Sequence, residues 1–135
     1  MIRTVRLVAV IGVLVLSLLL GAVQAEAAVM VTISPKAKLV EQGAVLLRVV
    51  ITCDAPGDVV EAFVTLSQDN QAIFGQGGIG GVRCDGKRHH HRALVRTPQG
   101  NFHKGTGYAS AYVLVCPSTG VCQSGGDVEE NLVIH

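Results

Sequence analysis

From Gly43 to Cys53 the chain alternates with a period of two. Val45, Leu47, Val49, Ile51 and Cys53 share one side, while Leu46, Arg48, Val50 and Thr52 share the other. Successive side chains of an extended strand point to opposite faces, so this pattern demands a sheet with one face buried. The first set is the core face, because the second carries the charge. The same period recurs from Asp58 to Gln68, with Val60, Ala62, Val64 and Leu66 inward and Glu61, Phe63, Thr65 and Ser67 outward. It recurs again from Gly105 to Cys116. There Gly107, Ala109, Ala111, Val113 and Val115 form one face, opposed by Tyr108, Ser110, Tyr112 and Leu114.

Shorter stretches fit the same reading. Val29–Ile33, Val82–Cys84, Arg92–Thr97 and Val128–Ile134 are expected strands, and Gln71–Phe74 can pair briefly. Ser34-Pro35, Glu41-Gln42-Gly43, Asp54-Ala-Pro-Gly57, Asp69-Asn70, Asp85-Gly86 and Pro98-Gln-Gly100 punctuate them with turn chemistry. The glycines between Gly75 and Gly81 imply a loose loop or a bulged edge strand. Beyond residue 27 there is no helical period and no internal repeat. About seven short strands at regular turn spacing predict an all-β, immunoglobulin-like Greek-key sandwich.

The N-terminal 27 residues are of another kind. Arg3 and Arg6 precede an apolar run from Leu7 to Leu20, and Val23-Gln24-Ala25 and Ala25-Glu26-Ala27 offer small residues at cleavage spacing. This is the pattern of a secretory signal peptide, with cleavage after Ala25 or Ala27. The run is shorter than the ~20 residues of a spanning helix. The expected domains are therefore a signal peptide, 1–27, and one sandwich domain, 28–135, of about 110 residues, long enough for its own core. The mature chain is expected to be secreted, with no membrane segment after cleavage.

Four cysteines remain, Cys53, Cys84, Cys116 and Cys122. An even number in an exported chain predicts two disulfides. The favoured pairing is Cys53–Cys84 with Cys116–Cys122, the close pair bridging Pro117-Ser-Thr-Gly120. The rival is Cys53–Cys116 with Cys84–Cys122, whose first bridge has the separation of the inter-sheet bond of antibody domains. No Cys-x-x-Cys pair suits a metal.

Net charge points to no nucleic acid partner. Removing Arg3 and Arg6 from 11 basic residues and, with cleavage after Ala27, Glu26 from 10 acidic ones leaves nine of each. The distribution is uneven. Lys87, Arg88, His89, His90, His91 and Arg92 are consecutive, with Arg83, Arg96 and Lys104 nearby, while Asp127, Glu129 and Glu130 close the chain. Lys87, Arg88, His89, His91 and Arg92 are the candidate binding residues. As a basic patch they would meet an anionic cell-surface polymer or another protein. A copper or zinc site from His89, His91 and His103 is the competing chemistry. The favoured reading is a solvated basic turn after Asp85-Gly86, with no metal and no cofactor.

Catalytic patterns are missing. There is no Gly-x-Ser-x-Gly elbow and no His-Glu-x-x-His motif, and the glycines of 75–81 lack the Lys-Ser/Thr of a phosphate loop. Asp54, Asp58, Asp69 and Asp85 sit where turns form.

Thr52-Cys53, Cys84-Asp-Gly86, the histidine that follows, Phe102, Gly105 and the small-residue strand ending at Cys116 together resemble a family of small secreted actinobacterial immunoglobulin-like domains of unknown function. The likeness covers nearly the whole mature chain and implies a fold rather than an activity. A local likeness is carried by Val113-Leu-Val-Cys116, Cys122-Gln123 and the Gly125–Ile134 ending, which look like the last hairpin of the enediyne apoproteins, the neocarzinostatin-like family. That likeness implies a cleft for an apolar ligand. The expectation is a secreted, non-enzymatic binding or interaction module, with a carrier of a small apolar ligand as the alternative.

Overall fold

The computed structural model describes residues 28–54, 59–116 and 122–135. The signal-peptide expectation, the side chain of Val60 and the turns at 55–58 and 117–121 lie outside them.

Eight strands form an immunoglobulin-like Greek-key sandwich. They are β1 (Ala28–Ile33), β2 (Lys36–Leu39), β3 (Val45–Asp54), β4 (Val59–Gln68), β5 (Ile73–Ile79), β6 (Arg88–Val95), β7 (Gly105–Cys116) and β8 (Gln123–Ile134). One sheet is β1–β3–β6, and the other runs β2–β8–β7–β4–β5. The short β2 belongs to both. Lys36 and Ala37 run parallel to Val133 and Ile134 of β8, and Lys38 and Leu39 run antiparallel to Leu46 and Val45 of β3.

The alternation of β3 builds the core. Val45, Leu47, Val49, Ile51 and Cys53 are each fully buried. They meet Ala62, Val64 and Leu66 of β4 and Ala109, Ala111, Val113 and Val115 of β7 across the interior. Phe102 plugs one end, its N–H donated to the Gly43 carbonyl at 3.0 Å. Both favoured disulfides are present, Cys53–Cys84 and Cys116–Cys122. The antibody-like Cys53–Cys116 bridge is therefore excluded. The larger loop, whose cysteines are 31 positions apart, contributes about 3–4 kcal/mol by restricting the unfolded chain.

Four sequence expectations need correction. Val82–Cys84 is not a strand; Cys84 is tied by its disulfide instead. The strand expected at Arg92–Thr97 begins earlier, at Arg88, so the histidines lie in β6 rather than in a solvated turn. The free edge of β3 explains this: Arg88 through Val95 pair in unbroken register with Thr52 through Val45. The glycine segment is the edge strand of the two alternatives, not a loop, and it pairs with β4 without a bulge as far as Ile79. Its glycines admit the β6 backbone, since a Cβ on Gly77 would lie 2.5 Å from the Leu94 carbonyl oxygen and one on Gly75 would collide with that of Arg96. A Gln76–Arg96 bridge joins the sheets there. Finally, β2 follows Pro35 directly, where only a break was expected.

Candidate functional site

Strand alternation divides the basic segment between two faces. Lys87 is exposed in a bend, its backbone N–H donated to Asp85 Oδ1 at 2.9 Å. Arg88 and Arg92, with His90, point outward from β6. His89 and His91 point to the interior side, both half-buried. His89 Nε2 lies 2.8 Å from Asp85 Oδ1, and this bond, with the Lys87 N–H, holds the Asp85 carboxyl below its usual range. His91 Nε2 is buried without a partner among the described residues. Burial, reinforced by the charges of His89 and His90, lowers its pKa. The sequence-predicted patch is thus not one surface.

His103 does not join the other histidines. It precedes β7 near Gly43, whereas His89 pairs with Ile51 at the far end of β3. Its Nε2 lies 2.8 Å from Asp69 Oδ2 and its Nδ1 2.9 Å from the Lys104 carbonyl. The Asp69 bond raises the His103 pKa. Among the described residues no three metal-ligating side chains converge.

The outward half of the patch acquires neighbours from distant sequence. Arg92 stands directly opposite Arg48 in the β3–β6 register. Lys36 and Lys38 of β2 approach from the adjoining edge. Together with Ser34, Leu46 and His135 these residues line a cleft of about 380 Å³ with no Asp or Glu in its wall. Among the described residues the ion pairs are His89–Asp85 and His103–Asp69, so the cleft's cations have none. Like charges placed directly opposite across a sheet repel. Two guanidiniums in that position form a ready fork for carboxylate, sulfate or phosphate oxygens. Met30 and Leu94, 69% and 40% exposed, add apolar area to the same outer face.

Lys36, Lys38 and Arg48 were not among the sequence-predicted site residues. Arg48 had a signal in the outward set of β3. Lys36-Ala-Lys38-Leu39 also alternates, with Ala37 buried, but the run is too short to read as a strand alone.

Ser110 hydrogen-bonds the Thr65 hydroxyl across the β4–β7 pair. Comparisons with protein-family models, curated proteins and solved structures returned no match. Two disulfides fit an oxidising, extracellular environment. No helix among the described residues is long and apolar enough to cross a membrane.

Proposed function

We propose that the protein is a secreted, non-enzymatic binding module whose cationic sheet face holds an anionic polymer of the cell surface. The observation that carries this reading is the opposed Arg48–Arg92 pair, flanked by Lys36 and Lys38 in a cleft with no Asp or Glu in its wall. An anion relieves the repulsion between the guanidiniums and is repaid by bidentate hydrogen bonds. The resemblance to small secreted immunoglobulin-like domains supports the same class of protein. The carrier alternative gains nothing from the described interior, where Leu47, Val49, Ile51, Leu66 and Val113 fill the space between the sheets.

The test is binding of the mature protein to heparin and to a neutral dextran of similar length, across salt concentration. Heparin should bind and the complex should weaken with salt, because exposed charges are screened beyond about 10 Å at 0.1 M. Arg48→Ser and Arg92→Ser should each weaken it more than Lys87→Ser, which lies outside the cleft. Equal binding of dextran, or indifference to both arginine substitutions, overturns the proposal.

A further inference from the structure

The opposite outer face, that of the β2–β8–β7–β4–β5 sheet, has a different chemistry. The chain has three Phe, two Tyr and no Trp. Phe102 is buried, while Phe63, Phe74, Tyr108 and Tyr112 are all exposed on this one face. At its end, beside the β4–β5 turn, lies a cleft of about 270 Å³ whose wall includes Ser67, Asp69, Asn70, Gln71, Tyr108 and Asn131. Ser67 and Asn131 are the direct cross-strand partners of Tyr108, so the ring stands between a hydroxyl and an amide.

The turn that forms the rest of the wall is strained. Asp69, Asn70 and Gln71 have φ of 53°, 54° and 70°, three successive non-glycine residues in a region L-residues avoid. It is held from beneath. Gln68, a buried polar side chain, donates to the His103 and Thr106 carbonyls at 2.9 and 3.2 Å and accepts the His103 N–H at 3.0 Å. His103 in turn holds Asp69 Oδ2 at 2.8 Å. The strained turn is thereby fixed with Asp69, Asn70 and Gln71 exposed.

A pyranose ring offers an apolar C–H face and a rim of hydroxyls that both donate and accept. An exposed aromatic face suits the first. Asn and Gln amides, which carry both donor and acceptor atoms, and a carboxylate suit the second. Asp69, Asp127 and Glu129 on this face disfavour an anionic ligand. We propose that this cleft is a binding site for a neutral saccharide, with Tyr108 stacking on a sugar ring and Asp69, Asn70, Gln71 and Asn131 taking its hydroxyls. The Glu129 carboxylate beside the Tyr108 hydroxyl raises the phenol pKa. The site shares no lining residue with the cationic cleft and stands or falls separately from it.

The test titrates ¹⁵N-labelled mature protein with soluble neutral hexasaccharides of glucose, of mannose and of N-acetylglucosamine, followed by NMR. At least one should shift the amides of Asp69, Asn70, Gln71, Tyr108 and Asn131. Tyr108→Ala should weaken that binding at least about tenfold, equivalent to 1.4 kcal/mol. Tyr108→Phe, which keeps the ring, should retain most of it, and Phe63→Ala, away from the cleft, should leave it unchanged. Thermal melts establish that each variant is folded, and Asn131→Ala provides a second lesion in the site. No shift with any of the three sugars up to their solubility limits overturns the proposal. So do shifts that map elsewhere, or unaltered binding by folded Tyr108→Ala.

Discussion

Replacing Gly77 by alanine should force apart two strands that the fold brings into backbone contact. An added Cβ would lie 2.5 Å from the Leu94 carbonyl oxygen and 3.3 Å from Val95 Cγ2. Reaching an ordinary contact of 3.4 Å from 2.5 Å requires β5 and β6 to part by about 0.9 Å. The obstacle is backbone, held in register against β3, so no side-chain rotation relieves it. Overpacking of this kind costs about 1–3 kcal/mol. In a domain of this size each kcal/mol moves Tm by roughly 4–8 °C, so the melt should fall by roughly 4–24 °C. The control is one residue along. A Cβ on Gly78 meets nothing within 4 Å, and Gly78→Ala should be neutral or stabilise by about 0.4–1 kcal/mol through the unfolded chain. Circular dichroism melts of the disulfide-intact variants read the difference. Equal losses at both positions would refute the argument that these glycines exist to admit β6.

The register of β3 predicts a second contrast. Val49→Asp places an unpaired charge at a position with no exposure, at a cost of several kcal/mol that is a large share of a stability of roughly 5–15 kcal/mol; soluble folded yield should collapse. Val50→Asp, on the half-buried outer side, should fold and melt normally within a few degrees. His91 should make the fold acid-sensitive. Its folded pKa is lowered by burial, so its neutral form contributes stability above the unfolded value of about 6.5 that is lost as pH falls toward the lowered one. His91→Leu should flatten the Tm profile between about pH 7.5 and 5, the range where histidine titrates. His103, raised by Asp69, has the opposite sign: its contribution is present below the unfolded value and fades as pH rises through the folded one. Its exposure keeps that contribution small, so a profile unchanged by His91→Leu would refute the assignment.

Much of the sandwich is legible in the residues because alternation is a local property. In β3, Val45 to Cys53 needs no partner to declare which side is buried, and the inward sets of β4 and β7 follow the same rule. Compartment and cysteine number narrowed the bridges to three pairings. The favoured one is the pair of bonds observed, with Cys84, in the segment before β6, brought to Cys53 of β3 at a Cα separation of 4.4 Å.

Pairing across the chain was beyond local pattern. Nothing in Arg88-His-His-His-Arg92 has strong strand propensity; that segment is extended because β3 has a second edge to satisfy. The same pairing, by alternation, turns His89 and His91 inward and Arg88 and Arg92 outward, dividing what reads in sequence as one patch. Arg48 and Arg92 are 44 positions apart and become opposed partners only through the register of two strands. Likewise the glycines of 75–81 look like slack in the sequence, and only the passage of β6 shows that they make room for backbone. Local sequence determined which side of each main strand is buried, since side-chain direction follows from the backbone period. Tertiary structure alone decided which strands meet, because register is set by hydrogen bonding between segments that carry no mark of each other, and with it which charges and rings share a face.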